Sequence, residues 1–489
     1  MAEHTIKENL QRLKDVKSAI GNAITAKGGT VGATDGLEEF AADIATIPSG
    51  GGGSSSNAVN FYDYDGTIVQ SYSANDFANL SELPANPTHE GLTAQGWNWS
   101  LTDAKTYVAN YGSLNIGQMY TTSDGKTRLY ISLSEGRTSP ILQLYLNDNS
   151  ELDIDWGDGS THSTFTSTSS EYKSERHEYS ASGDYVIAIT VISGGFELQS
   201  PSMSVSSVLW NGNNNTSSPD RVYNNAIKKV EIGDGVTSIG VKAFYYCSSL
   251  SLITIPDSVK SIGNDAFGSC YSLSSITIPD GVTTIGEHAF YSCYSLLSIT
   301  LPNDMTSISG STFYYCFSLP SITIPNGVTS IGDNAFDNCS SLSWITIPNN
   351  VTSISGYAFY NCPSLSSITI PDSVTNIGDY VFSGCFSLSS ITIPDSVESL
   401  GNNVFSSCSS LTSVTIPNSV TSIGSSAFYN CAYMSYIKFE STAPPTVTNS
   451  NAWRSLSTST KIFVPAGTLE AYKTATNYPN PSTYTYEEY

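Results

Sequence analysis

Basic residues are scarce in this chain. Its 489 residues include 20 Lys and Arg against 43 Asp and Glu, which gives a formal net charge of −23 at pH 7. No Lys or Arg occurs between Lys260 and Lys438. Nucleic-acid binding requires clustered cations opposite the phosphates, so the composition argues against nucleic acid as a partner. For the same reason, anionic glycans and anionic lipid surfaces are poor partners for this stretch.

Long apolar runs are also missing. No stretch approaches the roughly 18 uninterrupted apolar residues of a membrane-spanning helix, so we expect no membrane insertion. The first residues, Met1 to Lys7, begin a polar amphipathic segment that lacks the apolar run and cleavage site of a signal peptide. We therefore expect a protein that is not exported by an ordinary signal.

The residue patterns of common catalytic sites are absent as well. The five histidines share no metal-ligand spacing, and no Gly-x-Ser-x-Gly turn, Walker loop or His-Glu-x-x-His pattern occurs. Asp153, Asp155 and Asp158 could hold calcium through oxygen ligands, or they could form a polar turn that fixes a hairpin. A pair of catalytic carboxylates within residues 57–125 stays open, although nothing singles one out. We expect no enzyme, no cofactor and no metal site.

The first 56 residues divide into a helical segment and a linker. Residues 1–48 place apolar side chains at helical spacing on two short helices, at Ile6, Leu10, Leu13, Ile20 and Ile24 and then at Leu37, Phe40 and Ile44. Neither helix can bury its stripe alone. The segment is therefore an assembly or docking element or, alternatively, a helical hairpin that packs on itself. Residues 49–56 are a Gly/Ser linker.

Two modules are predicted before the repeats begin. Residues 57–125 read as a small α+β module with a helix at Thr102 to Tyr111. Residues 126–205 alternate with period two and read as all-β. Asp-Gly pairs at 65–66, 124–125 and 158–159 predict hairpin turns. Residues 206–229 are left as a connector.

The remainder is dominated by a repeat with a constant step of 23 residues. All nine cysteines obey it: Cys247, Cys270, Cys293, Cys316, Cys339, Cys362, Cys385, Cys408 and Cys431. A Phe lies three residues before each Cys, and an Ile-Thr-Ile-Pro-like strand follows each one. We predict a multidomain chain whose residues 230–439 form a solenoid of nine 23-residue coils around one core. Residues 440–489 are its terminal cap.

The cysteines are predicted to be buried apolar fillers. They are flanked by Phe and Leu and point in one direction, which disfavours disulfides between neighbouring coils. Zinc sites would need ligands paired at short spacing, and the sequence has none. Each coil should bury Ile and expose Thr on its strand, and its Ala-Phe-x-x-Cys segment should return as a short helix or an irregular turn.

Several of these motifs resemble known families. The 23-residue repeat resembles the BspA-like leucine-rich repeats of bacterial surface proteins, which implies adhesion. Asp153–Ser160 (DIDWGDGS), with His177–Ser180 and Gly183–Tyr185, resembles the PKD-like β-sandwich, which implies a spacer or binding module. The first 56 residues, together with Val59–Gly66 and Leu92–Ser100, are similar to phage and prophage tail proteins.

Positions that vary between coils are the candidate binding surface. An aromatic set flanks the cysteines and is expected to point outward, either as a contact patch or as half-buried packing between coils: Tyr245, Tyr246, Tyr271, Tyr291, Tyr294, Tyr314, Tyr315, Phe317, Tyr360, Phe386 and Tyr429. The strand face carries an outward row of Thr, expected to be structural: Thr254, Thr277, Thr300, Thr323, Thr346, Thr369, Thr392 and Thr415. Trp344 on that face is a candidate hot spot.

These observations favour a non-enzymatic phage tail protein that binds a receptor. The expected partners are a bacterial surface protein or neutral polysaccharide and, through residues 1–48, other tail proteins, with a homo-oligomer such as a trimer possible. The expected location is the virion, assembled in the bacterial cytoplasm. A BspA-like adhesin on a bacterial cell surface is the first alternative, and a glycan-processing tail enzyme is the second.

Overall fold

The computed structural model describes residues 58–200, 207–210 and 223–489. The helices predicted within residues 1–48 and the linker at 49–56 lie outside the described residues, as does most of the connector. Three α-helices occur in the described part, and all remaining regular structure is β-sheet apart from two short 3-10 helices at Asn224–Ala226 and Ser450–Trp453.

The first module is a four-stranded sheet with two helices. Its strands, in the sheet order β2-β1-β4-β3, are β1 (Ala58–Tyr62), β2 (Ile68–Ser73), β3 (Leu92–Trp97) and β4 (Leu114–Thr122). The helices are α1 (Ala74–Ala78) and α2 (Leu101–Tyr111). Helix α2 confirms the predicted helix. Ser100 caps its first turn by accepting from the Asp103 amide, and Gly112 ends it with φ 81°.

The second module is a β-sandwich. Its strands are β5 (Thr127–Leu133), β6 (Ile141–Leu146), β7 (Glu151–Asp155), β8 (Ser163–Thr166), β9 (Glu171–Arg176), β10 (Gly183–Ser193), β11 (Phe196–Leu198) and β12 (Leu209–Trp210). One sheet has the order β5-β10-β7-β8, and the other joins β12, β9 and β11 to β6. Burial alternates along β5 as the period-two pattern predicts. The predicted hairpin at 124–125 is wrong, because β4 and β5 belong to different sheets.

Both sheets of the sandwich continue into the solenoid. Strand β5 pairs antiparallel with Ile227–Glu231, and β11 pairs in parallel with Val236–Ile239. One hydrophobic core runs without a break from Leu129 to Tyr472. The sandwich therefore closes the amino-terminal end of the solenoid and is not separated from it by a spacer.

The solenoid has two rows of parallel strands. The first row contains the Ile-Thr-Ile segments: Ile227–Glu231, Leu252–Thr254, Ser275–Thr277, Ser298–Thr300, Ser321–Thr323, Trp344–Thr346, Ser367–Thr369, Ser413–Ile416, Tyr436–Phe439, Lys461–Val464 and Thr485–Glu488. The second row, which the sequence did not predict, contains the Val-x-x-Ile segments: Val236–Ile239, Ser261–Ile262, Thr284–Ile285, Ser307–Ile308, Ser330–Ile331, Ser353–Ile354, Asn376–Ile377, Ser399–Leu400, Ser422–Ile423 and Thr446–Val447.

The returning segment of each coil is a chain of turns without a helix. Left-handed residues recur at two fixed positions per coil. The first set is Lys242, Asp265, His288, Ser311, Asn334, Tyr357, Tyr380, Asn403 and Ser426. The second set, one residue before each Cys, is Tyr246, Ser269, Ser292, Tyr315, Asn338, Asn361, Gly384, Ser407 and Asn430. These residues turn the backbone sharply, which lets 23 residues close one coil.

The nine cysteines are free, fully buried thiols that also have a polar role. From Cys270 to Cys431, each Sγ donates to the carbonyl of the Phe 26 residues earlier, as in Cys316 Sγ to Phe290 O at 3.3 Å. Burial raises the pKa of these thiols, so they keep the proton that they donate. They therefore satisfy backbone groups as well as filling space.

Residues 440–489 continue the stack. Lys461–Val464 pairs in parallel with Tyr436–Phe439, and Trp453 lies face to face on Phe428 at 5.5 Å. Helix α3 (Leu469–Thr474) then packs Tyr472 against the end of the core. The nine predicted coils are present, and the strand-forming segments before and after them extend the solenoid to about 11 coils.

Candidate functional site

Seven of the predicted aromatic residues form one connected row on the returning side of the first coils. We call them the aromatic row: Tyr246, Tyr271, Tyr291, Tyr294, Tyr314, Tyr315 and Phe317. The Tyr271 and Tyr294 rings stack at 4.8 Å between centroids, and Tyr294 stacks on Phe317 at 5.1 Å. Because successive coils repeat the same backbone, equivalent rings fall one above another.

The aromatic row is half-buried, and this changes what it can offer a partner. The rings of Tyr271, Tyr294 and Phe317 stack face to face between coils, and Tyr314 stacks on Tyr315 within one coil. These ring faces are therefore occupied, and ring edges and phenol groups remain for solvent or a ligand. Burial raises the pKa of Tyr294 to about 12, so its hydroxyl stays protonated and can donate. The two alternatives, packing and display, are therefore combined in the same side chains.

Tyr245 touches the end of this row through Tyr246, with ring centroids 4.5 Å apart, and the remaining predicted aromatics lie elsewhere. Tyr245 is half-buried with its ring against Gly268 and beside Tyr246. Tyr360 contacts Tyr357 and Tyr380 in a second, smaller cluster farther along the solenoid. Phe386 is exposed, and Tyr429 is half-buried. Trp344 lies apart from all of them on the strand face, so the structure does not bring the candidates into one site.

The strand face of the first coils is covered. Thr254, Thr277, Thr300 and Thr323 were expected to face solvent, and each is at most 9% exposed. The α+β module lies over them, with β4 crossing the first-row strands. Three hydrogen bonds support this contact: Asn98 Nδ2 to Leu301 O at 3.4 Å, Tyr107 Oη to Ile324 O at 3.0 Å, and Asn115 N to Thr323 Oγ1 at 3.3 Å.

The same face is open over the later coils. Thr369 and Thr392 are exposed, and Thr346 and Thr415 are half-buried. Tyr111 at the end of α2 marks the boundary, since its hydroxyl accepts from the Asn349 amide at 3.1 Å. Trp344 is half-buried just inside this boundary. Sequence alternation predicts which residues point outward, but it does not predict that another module covers half of them.

The acidic turn of the sandwich does not assemble a cation site. Asp153 contacts His162 at 2.9 Å, whereas Asp158 contacts a different histidine, His177, at 2.8 Å, and His177 stacks on the Trp156 ring. Among residues 58–200, 207–210 and 223–489, no group of three or more His, Cys, Asp or Glu side chains is placed to hold a metal. Burial raises the pKa of Asp158, but hydrogen bonds from Ser160 and His177 together outweigh it and lower the pKa to about 2.

Comparison with known proteins agrees with this architecture. The family model for the BspA-type leucine-rich-repeat region matches residues 218–343 and 329–457, with six copies of its repeat. A leucine-rich-repeat protein of T. pallidum is 31% identical over 40% of this chain and 85% of its own, with a TM-score of 0.30. The chain belongs to the BspA-type leucine-rich-repeat family.

Other solved structures to which the chain is similar are also bacterial leucine-rich-repeat or leucine-rich proteins. A leucine-rich-repeat protein from Bacteroides ovatus is 28% identical, covering 53% of this chain and 76% of its own, with a TM-score of 0.36. A leucine-rich cell surface protein from Faecalibacterium prausnitzii is 26% identical, covering 51% and 87%, with a TM-score of 0.27. No curated protein matches. The matched family is not a catalytic one. Within the described part of the chain, no helix combines the length and apolarity needed to cross a membrane.

One buried carboxyl group interrupts the BspA-type repeat beside the aromatic row. Asp337 takes the position that Tyr314 and Tyr360 hold in the neighbouring coils, and it is 4% exposed. Burial raises its pKa to about 7, with a hydrogen bond from Asn338 opposing the shift. Its stability contribution is therefore complete below its ordinary pKa near 4 and is lost as the pH rises through 7.

Asp337→Asn should reduce the decline in unfolding free energy between pH 4 and pH 8. The substitution keeps the shape of the side chain and removes the cost of burying a charge. Urea unfolding at a series of pH values measures this. Asp333→Asn, an exposed position on the same coil, is the matched control. An unchanged decline in Asp337→Asn would show that this carboxyl is not responsible.

Proposed function

We propose that this protein is a non-catalytic adhesin, displayed on a bacterial cell surface, whose solenoid binds a macromolecule on another surface. Family membership supports adhesion, since the resemblance to BspA-like repeats carries that expectation. The matched family favours this reading over the phage-tail receptor-binding protein that the amino-terminal segment suggested.

The observation that carries the proposal is the backbone of Tyr246 and Tyr315. Both have left-handed φ values, 60° and 62°. Bulky residues are uncommon there, and equivalent positions in other coils carry Asn, Ser or Gly, which suit the conformation better. Packing between coils does not require these two tyrosines, because seven other coils have a smaller residue there: Ser269, Ser292, Asn338, Asn361, Gly384, Ser407 and Asn430. A strained aromatic kept at a half-exposed position points to binding.

Replacing Tyr314 and Tyr315 by Ser should weaken binding to target cells by about tenfold or more. Little stability should be lost, because Ser383 and Ser406 occupy the position of Tyr314, and Ser292 that of Tyr315. Fluorescently labelled protein titrated on cells gives the affinity, and thermal melting checks the fold. Tyr429→Ser with Tyr433→Ser, outside the aromatic row, is the control. An unchanged affinity would remove the aromatic row from the binding surface.

A phage tail component is the second candidate. It is favoured by the similarity of three segments, residues 1–56, Val59–Gly66 and Leu92–Ser100, to phage tail proteins. Antibodies raised against residues 230–439 distinguish the two. Gold labelling on intact bacteria that release no particles supports the adhesin, whereas labelling confined to phage particles supports the tail protein and contradicts the cell-surface location.

A further inference from the structure

The uncovered strand face carries two columns of hydroxyl groups. We call them the hydroxyl face: Thr346, Thr369, Thr392 and Thr415 in one column, and Ser367, Ser390 and Ser413 in the other. None of these seven hydroxyls has a hydrogen-bond partner among the described residues. They are therefore available to a ligand.

A neighbouring column of hydroxyl groups differs, because its members are hydrogen-bonded within the protein. Ser343, Ser366, Ser389 and Thr412 stand at the edge of the same face, and each hydroxyl donates to a backbone carbonyl of the preceding coil at 3.2 to 3.4 Å. These side chains hold adjacent coils together. The structural role that the sequence suggests for the strand hydroxyls thus belongs to the edge column, and the hydroxyl face has none.

From Trp344 to Thr415 the hydroxyl face carries no charged side chain. Lys438, which pairs in register with Thr415, stands just beyond it and forms an ion pair with Glu440. No Lys or Arg occurs between Lys260 and Lys438, and the apolar residues of the face, such as Ile368 and Ile391, are buried beneath it. Two carboxylates, Asp372 and Asp395, are exposed in the turns that follow Thr369 and Thr392. An anionic polymer would be repelled, and a protein partner would find no apolar centre to bury.

The covered part of the same face shows which groups such a surface binds. Over the first coils it takes neutral partners from the α+β module: the Asn115 amide on Thr323, the Tyr64 carbonyl on Ser275 Oγ at 3.1 Å, and the Gln95 carboxamide on the Asp257 amide at 3.2 Å. The open face continues this established interface with the same residue types, so its occupant should present neutral donors and acceptors.

The column also ends in aromatic side chains. Trp344 pairs in register with Ser367, and Tyr436 pairs with Ser413, so the two rings border the hydroxyl face at opposite ends. The Trp344 indole N–H has no hydrogen-bond partner within the described chain, and Tyr436 is 37% exposed. Both offer an apolar surface with a polar tip.

We propose that the hydroxyl face binds an extended neutral polysaccharide that lies along the solenoid axis between Trp344 and Tyr436. A surface that repeats identical hydroxyls coil after coil suits a polymer that repeats identical hydroxyls, whereas a protein surface has no such period. This inference rests on the proposed adhesive function and names the ligand class.

Native gels containing dextran, yeast mannan or laminarin test the proposal with the full chain. At least one neutral polymer should retard the protein, and polygalacturonate should not. Thr369→Arg with Thr392→Arg should abolish the retardation. Thr369→Ala with Thr392→Ala, which removes the hydroxyls without adding bulk, should lower the affinity for the polymer about tenfold. Ser366→Ala with Ser389→Ala in the edge column is the matched control and should leave the retardation unchanged. No retardation by any neutral polymer, or equal retardation of both Arg and wild-type proteins, overturns the proposal.

Cell binding separates this proposal from the adhesive function. Periodate treatment of target cells should remove binding, and protease treatment should not. Binding that survives periodate, is lost after protease and is unaffected by Thr369→Arg with Thr392→Arg means a protein receptor, which overturns the polysaccharide while the adhesin stands. Absence of any cell binding by the wild-type protein contradicts the adhesin itself, and the gels still report on the hydroxyl face.

Discussion

Phe313→Ala is expected to lower the free energy of unfolding of the solenoid by about 3–5 kcal/mol. The Phe313 side chain is fully buried and stacks on Phe290 at 5.7 Å and on Phe336 at 5.3 Å. Removing it leaves a cavity whose walls are two other aromatic rings in a regular stack, and such a site cannot collapse without displacing both coils. Urea unfolding followed by circular dichroism measures the loss.

The control for this substitution lies on the same coil. Phe317 is half-buried at the surface, in the aromatic row, so Phe317→Ala should cost much less than Phe313→Ala. Hydrogen exchange should show faster opening in the coils on both sides of position 313, because each coil is stabilised by its neighbours. Equal costs for the two substitutions would mean that the Phe stack does not carry the stability assigned to it.

Gly117→Ala should detach the α+β module from the strand face, at a cost of about 1–3 kcal/mol to docking. Gly117 has an ordinary backbone conformation, so only space requires a glycine there. A Cβ at this position would lie 2.6 Å from Thr277 Oγ1 and would also collide with Thr300 Oγ1. Hydrogen–deuterium exchange should accelerate in the amides of residues 114–122 and at Asp257, while the sandwich keeps its protection.

A second-site change tests the cause. Thr277→Ala with Thr300→Ala removes the atoms that the new methyl group would meet, so combining both with Gly117→Ala should restore docking. The double Thr variant alone should stay docked, because the hydrogen bonds from Asn98 and Tyr107 are made to backbone carbonyls. Failure of the combined variant to recover would show that Gly117 acts through something other than this close approach.

The solenoid core could be predicted in detail because every coil buries the same residue types at the same positions. The 23-residue step identifies the buried Phe, Cys and Ile positions, and the structure places them in one core. The second strand row was missed because strands of two residues leave no periodic pattern. The left-handed positions had a usable signal, since Asn338, Asn361 and Asn430 recur immediately before Cys, and Asn is enriched in that conformation.

The candidate site was less predictable because its limits depend on distant parts of the chain. Residues such as Asn98 and Leu301 are about 200 positions apart, and no local pattern reports that contact. The sequence places the tyrosines beside the cysteines, but their stacking between coils is set by the rise of the solenoid, which no local pattern reports. Likewise, only the structure shows that Ser366 uses its hydroxyl while Ser367 does not.

The two ends of the solenoid are fixed by separate junctions, so the number of coils between them can change. The sandwich fixes one end through β5 and β11, residues 440–489 fix the other, and the α+β module occupies only the coils before Asn349. Loss or duplication of one 23-residue unit between Thr346 and Thr415 would leave every one of those junctions intact. Unequal recombination between the tandem units, which share one 23-residue pattern, would then shorten or lengthen the hydroxyl face one coil at a time. The length of the binding face could change in this way without altering any contact at the junctions.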